Sequence, residues 1–352
     1  MNMPPRRRFT FHPRHTHHPR RGIPCLVALL GISALVTMAC TSPSPAADGP
    51  ATLGEAREAA LAQVRSSADS RDPILRANAL EAIAPLPDEA RALAERGVED
   101  SNHVVRFAAL MLVGDLALEP LGEAALERLD DDSYHVRAAA IYAARAAGQE
   151  VDATPLARML AAPDPGLRSN VAIVLGRMGD RSASPMMHEL ASAPMPRVDE
   201  LHASLVRIQI AEALVKLGEA EALSAIRAAA YSHFDEIRVL ALSMMGQLND
   251  RRMAPAMEYM LEDQPIEIRL AAAEALARMG SGVGLEAMLD GADDDVTAVR
   301  AQAAFGLGMV DDTEATEALL KLLEDDEEQV RLSAAASIIR ATSPSRPPAA
   351  RW

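Results

Sequence analysis

The stretch Asp164-Pro165-Gly166-Leu167-Arg168-Ser169-Asn170-Val171-Ala172-Ile173-Val174-Leu175-Gly176-Arg177-Met178-Gly179-Asp180 decides the fold. Leu167, Val171, Leu175 and Met178 are spaced by four, four and three residues, which places them on one face of a helix. Gly179 follows as a residue that accepts the left-handed conformation ending a helix.

The same arrangement recurs along the chain. An aliphatic-Arg pair stands at Leu75-Arg76, Val105-Arg106, Val136-Arg137, Leu167-Arg168, Val206-Arg207, Ile237-Arg238, Ile268-Arg269, Val299-Arg300 and Val330-Arg331. Successive Arg residues are 30, 31, 31, 39, 31, 31, 31 and 31 apart. Around Arg238 the face consists of Ile237, Ala241, Met245 and Leu248, and around Arg269 of Ile268, Ala272, Leu276 and Met279. Eleven places after the Arg come Gly148, Gly179, Gly218, Asn249 and Gly280. A shorter apolar-periodic segment and an acidic or Pro-containing turn, such as Asp131-Asp132-Ser133, complete each unit. One such helix pair cannot bury its own apolar face, so neighbours must stack. The expected fold is all-α: a right-handed solenoid of about nine two-helix repeats with a period of ~31 residues. Stability is then summed between neighbours, and a chain truncated before Leu175 is expected to keep folding while exposing a new apolar end.

With Asp-x-x-aliphatic-Arg-x-x-Ala-Ala and Ala-Leu-Gly-x-x-Gly-Asp signatures over residues 55–342, best copied at Val174–Asp180, the pattern resembles HEAT-like repeats of the short, phycobilisome-lyase type. The resemblance implies that the recurring Arg pairs with turn acids and carbonyls of its own and adjoining repeats. Interspersed acids such as Asp72, Asp164 and Asp235 also argue against an exposed basic stripe. The family includes enzymes, deoxyhypusine hydroxylase with arrayed His-Glu pairs and bilin lyases among them. Only His188-Glu189 matches such a pair here, while His103, His135, His202 and His233 share no spacing. No Ser-His-Asp spacing or Gly-rich phosphate loop stands out. The expectation is a non-catalytic chain with no cofactor and no metal; the competing class is an exported helical-repeat enzyme or enzyme subunit, bilin-lyase-like or hydroxylase-like.

Composition agrees with the repeats. Of the 352 residues 49% are apolar but only 3% aromatic, a balance dominated by good helix formers. The net charge is −15, and six Arg fall within residues 1–39, leaving 29 bases against 50 acids in the remainder. Such a body repels phosphate backbones, so nucleic acid is excluded as an expected partner. The two cysteines, Cys25 and Cys40, give neither a disulfide framework nor a zinc-ligand cluster.

Arg6, Arg7, Arg8, Arg14, Arg20 and Arg21 precede an uncharged run from Ile23 to Ala39, the layout of a secretory signal over residues 1–39. Leu35-Val36-Thr37-Met38-Ala39-Cys40 resembles a lipobox, with Thr37 where that family usually has Leu. The resemblance implies lipid on Cys40 and a body held on a bacterial outer membrane or on the periplasmic side of the inner membrane. An uncleaved signal anchor is the alternative, since 17 apolar residues lie at the lower limit for a membrane span. Residues 40–54 read as a lipidated terminus and tether and residues 343–352 as a disordered tail.

The face opposite the core stripe is occupied by residues one and five places after the Arg. These include Phe107, Met111, Tyr142, Ile173, Ile208, Val239, Leu270 and Phe305. A row of apolar residues across neighbouring repeats marks a concave contact surface for a protein or peptide partner, a basic one being favoured by the acidic body, unless tight curvature or adjacent helices cover it. On the first reading, replacing Phe107 or Tyr142 is expected to weaken binding and to leave stability nearly unchanged. The 39-residue spacing holds an insertion at residues 192–200, which is either a specificity loop or an extended turn. The expected function is an envelope lipoprotein that acts as an interaction scaffold through its concave face.

Overall fold

The computed structural model describes residues 52–262 and 264–343. Cys40, the signal segment and most of the 343–352 tail lie outside the described residues.

Nine helix pairs follow one another. They are α1 (Leu53–Ala68) and α2 (Pro73–Ile83), α3 (Pro87–Gly97) and α4 (His103–Asp115), and α5 (Gly122–Glu127) and α6 (Tyr134–Ala146). Next come α7 (Pro155–Leu160) and α8 (Pro165–Met178), α9 (Ser184–Ser192) and α10 (Glu200–Lys216), and α11 (Leu223–Ala229) and α12 (Asp235–Gln247). The last three are α13 (Ala254–Tyr259) and α14 (Ile266–Arg278), α15 (Leu285–Ala292) and α16 (Thr297–Leu307), and α17 (Thr313–Leu322) and α18 (Glu328–Thr342). No strand occurs among the described residues, and the all-α repeat solenoid expected from the 31-residue period is the fold observed.

The second helix of each pair begins and ends as its sequence dictates. Asp72, Asn102 and Asp164 cap α2, α4 and α8 by accepting the backbone N–H two residues on. At the other end Gly148, Gly179, Gly218, Gly280 and Asn249 all take positive φ, as their position eleven after the Arg predicts. The stripe residues Ile237, Ala241, Met245, Ile268, Ala272 and Leu276 are buried. At Gly176 a Cβ would come within 2.9 Å of the Ala213 Cα, so only Gly lets α8 and α10 approach this closely.

The recurring Arg residues form a ladder inside the structure. Arg76 binds both carboxylate oxygens of Asp100 at 2.8 Å, and Arg106 binds Asp131 in the same way. Arg300 repeats the geometry on Asp325. Each of the three also donates to carbonyls of its own turn, Ser70, Asp100 and Asp294 respectively. One Arg therefore ties the turn of its own repeat to the turn of the next.

The two ends of the array meet. α18 packs against α16 on one side and against both α1 and α2 on the other, so the second helices run in a closed cycle from α2 to α18 and back. Leu332, Ala335, Ile338 and Ile339 of α18 join the same buried cluster as Ala56, Ala60 and Val64 of α1. Across this seam Arg331 donates to Gln63, Arg57 to Thr342, and Ser67 to Glu328. The open array with an independent end, on which the truncation expectation rested, gives way to a ring in which the first and last repeats cap each other.

Candidate functional site: a central cavity

Closure turns the concave face into the wall of a cavity of about 340 Å³, lined from α2, α4, α8, α10, α12 and α16. Its apolar wall includes Phe107, Met111, Ile173, Leu240, Met244 and Phe305; its polar wall includes Glu81, Asp115, Arg177, Glu212, Lys216 and Gln247.

The predicted row is thus placed differently from its expectation. Phe107, Met111, Ile173 and Phe305 do converge on the cavity, while Tyr142, Ile208, Val239 and Leu270 are not part of its wall. All but Phe305 are buried, and Phe305 is half-buried, so no open apolar stripe exists. The reason is curvature: in a closed ring the inward faces of neighbouring second helices press on each other. The expectation that Phe107 and Tyr142 can be removed without loss of stability is corrected accordingly, because emptying a buried aromatic site costs about 3–5 kcal/mol.

Tyr142 has a polar task. Its hydroxyl donates to Asp115 at 2.9 Å, and Arg177 ion-pairs with the same carboxylate from α8. Burial, with the Asp115 charge beside it, pushes the Tyr142 phenol well above its usual range, so it stays a donor. A Cβ at Gly114 would collide with the Tyr142 ring at 2.3 Å, so that Gly makes room for this contact.

Charged residues in and beside the wall were missed although the same arithmetic reaches them. Five places after the Arg stand not only Met111, Tyr142, Ile173 and Phe305 but also Glu81, Glu212 and Glu274; nine places after it stand Asp115, Arg177, Lys216, Arg278 and Arg340. Considering only apolar occupants of the inward positions hid them. Lys216 pairs with Glu212 at 2.7 Å and Arg278 with Glu274 at 3.0 Å, both one helical turn apart. Arg340 stacks over Phe305 at 4.2 Å, with Arg278 also facing that ring at 5.2 Å. Burial, reinforced by Arg278, pushes the Arg340 guanidinium down to about 10, with Glu274 and Glu81 opposing.

Glu81 differs from the other acids. It lines the cavity with its surface exposed, and its side chain makes no hydrogen bond or ion pair among the described residues. The protein surrounding the cavity raises its carboxyl above the usual range; Arg177 and Arg340 oppose this, and the Asp115 charge adds to it.

Among the described residues the histidines form no ligand cluster, although the His103 and His135 rings lie 6.5 Å apart. His188 and His103 are exposed, His202 bonds Asp199, and His135 meets Asn170 at 2.8 Å. Among the described residues no three His, Cys, Asp or Glu side chains converge as a metal-ligand set, and no helix is long and apolar enough to cross a membrane. The insertion at 192–200 runs from the end of α9 into the start of α10, with Met195 buried.

Comparison with known proteins bears on the repeats. Among solved structures the chain is similar to the CpcE–CpcF phycocyanin lyase complex of Nostoc, at 19% identity over 70% of this chain and 92% of that one, with a TM-score of 0.38. It is similar to human deoxyhypusine hydroxylase, at 15% identity over 81% and 96% of the two chains, with a TM-score of 0.37. It is also similar to Kap121p bound to Ste12p, at 13% identity over 79% and 36%, with a TM-score of 0.34. No curated protein matches in sequence. The expectation of a non-catalytic chain is corrected here: the similar structures include a lyase complex and a hydroxylase, and at 15–19% identity enzyme status is established in neither direction. The family model for HEAT repeats matches residues 153–238 and 284–350, so these two regions carry HEAT repeats, as the recurring Arg and Gly residues implied.

Proposed function

We propose that the protein is an exported binding protein, held on a bacterial envelope membrane through lipid on Cys40, whose partner is recognised at the central cavity. The observation that carries the reading is convergence. Phe107, Met111, Ile173 and Phe305, from three different repeats, wall one cavity of about 340 Å³, a volume in the range of ligand pockets. The acidic body favours a basic partner by long-range attraction. Export is supported by the basic and apolar segments before Cys40, and anchoring by the lipobox-like residues around it.

A photo-crosslinking side chain at Gln247, exposed at the cavity wall, should capture a partner that the same group at the exposed Arg252 does not. Ala84→Phe, which fills the cavity from a half-exposed position, should abolish that capture with helicity unchanged. Equal capture from both positions, or capture indifferent to the plug, sinks the cavity as the binding site. Palmitate labelling that persists in Cys40→Ala sinks the lipid anchor.

A second reading is favoured by Glu81. A carboxyl with a raised pKa, free in a cavity, has the property required of a general acid or base, and a helical-repeat enzyme using this cavity would act through it.

A further inference from the structure

The polar wall of the cavity is unequally satisfied, and the inequality selects a ligand. Three carboxylates line it. Asp115 is held by Tyr142 and Arg177, and Glu212 by Lys216. Glu81 alone of the three has no hydrogen-bonding or ion-pairing partner among the described residues. The two cations that line the cavity, Arg177 and Lys216, are both engaged. Arg340 lies close by, but its unpartnered Nη1 is sealed from the cavity, so an incoming anion cannot reach it without rearrangement. The remaining wall is largely apolar, with Phe107, Met111, Ile173 and Phe305 around it.

From this arrangement we infer that the cavity binds an alkylammonium group, its cationic head on Glu81 and its alkyl stem along the Phe107–Met111–Ile173 wall. The inference deepens the binding function proposed above and rests on the same cavity: the group is either the lysine side chain of a basic partner or a free small amine. Glu81 is exposed to the cavity with no partner at ion-pairing distance among the described residues, Arg177 and Arg340 acting on it only from farther away, so an ammonium entering from water supplies a direct counter-charge together with its hydrogen bonds. The apolar stem displaces cavity water without leaving polar groups unpaired.

Three five-carbon probes of equal reach test it on the folded chain: n-pentylamine, n-pentanol and valerate, titrated by calorimetry. Pentylamine should bind at least tenfold more tightly than pentanol, and valerate should not bind. Glu81→Gln should bring pentylamine down to the level of pentanol while pentanol binding stays unchanged, which separates loss of the charge from loss of the fold. A lysine-containing tripeptide competing with pentylamine would assign the group to a partner's side chain, and failure to compete would assign it to a small amine. Equal binding of amine and alcohol, preference for valerate, or amine binding that survives Glu81→Gln overturns the inference. These outcomes are independent of the crosslinking result, because a cavity that captures a partner but ignores amines refutes only the ammonium specificity.

Discussion

The joints on either side of α4 differ sharply from the three joints that run from α6 to α12. At α2/α4 and α4/α6 an Arg of one repeat clamps an Asp 24 or 25 residues later, and Asp131 in the second clamp is almost wholly buried. Counting 25 residues on from Arg137, Arg168 and Arg207 gives Ala162, Ala193 and Ser232, none of which carries a charge. Arg137 and Arg168 keep their own-turn carbonyls, Asp131 and Ala162, but bridge to no acid of the next repeat; Arg207 is exposed and makes no side-chain bond among the described residues. The α8/α10 joint compensates by the close approach at Gly176, whereas a groove of about 670 Å³ opens between α6 and α7, with Arg137, Ala162 and Leu167 in its wall. At α10/α12 the buried core itself divides, one cluster ending near Leu217 and the next beginning at Ile208. The same helical unit is thus joined in two ways, with or without an Arg–Asp clamp between successive turns.

The comparison is most directly broken at Asp131. Asp131→Ala should destabilise the protein by about 3 kcal/mol or more in urea denaturation, because it strands the Arg106 guanidinium in a largely buried site. A loss below 1 kcal/mol would mean the clamps are ornamental to stability.

Acid should act on the clamped joints next. Burial works to raise the carboxyls of Asp100, Asp131 and Asp325, but their Arg partners and backbone N–H donors outweigh it and hold all three below the usual range. Depressed carboxylates contribute stability above the unfolded-state pKa of about 4, and that contribution is lost as pH falls through the lower folded-state values. Denaturation midpoints should therefore drop between pH 6 and pH 3, and Asp131→Ala should drop less than the parent. Parallel drops in both proteins would point to general acid expansion instead.

Sharpening the contrast means installing a clamp where none exists. Ala162→Asp, in the half-buried turn opposite Arg137, should add about 1 kcal/mol, and a double-mutant cycle with Arg137→Ala should assign the gain to that pair. No coupling in the cycle would show that the groove beside Arg137 and Ala162 holds the two turns too far apart. The smallest effect is expected at the unclamped joint, where Arg207→Ala should change stability by less than about 0.5 kcal/mol.

Much of this was legible in the residues alone. The aliphatic-Arg pairs and the four-four-three spacing determined the helices, the Gly or Asn eleven places on determined where they end, and the acids that Arg76, Arg106 and Arg300 clamp stand 24 or 25 residues after them in the sequence. These are local or nearest-neighbour properties, and a repeat encodes them once for every copy. Ring closure is neither. It depends on the small rotation between successive repeats summed over nine of them, which brings α18 onto α1 and lets Arg331, with no following repeat to clamp, reach Gln63. Only tertiary structure decided that sum, and with it the fate of the inward row: Phe107 and Met111 became cavity wall, Leu270 became core, and Glu81 was left in the cavity without a partner because no neighbouring inward position supplies one within ion-pairing distance.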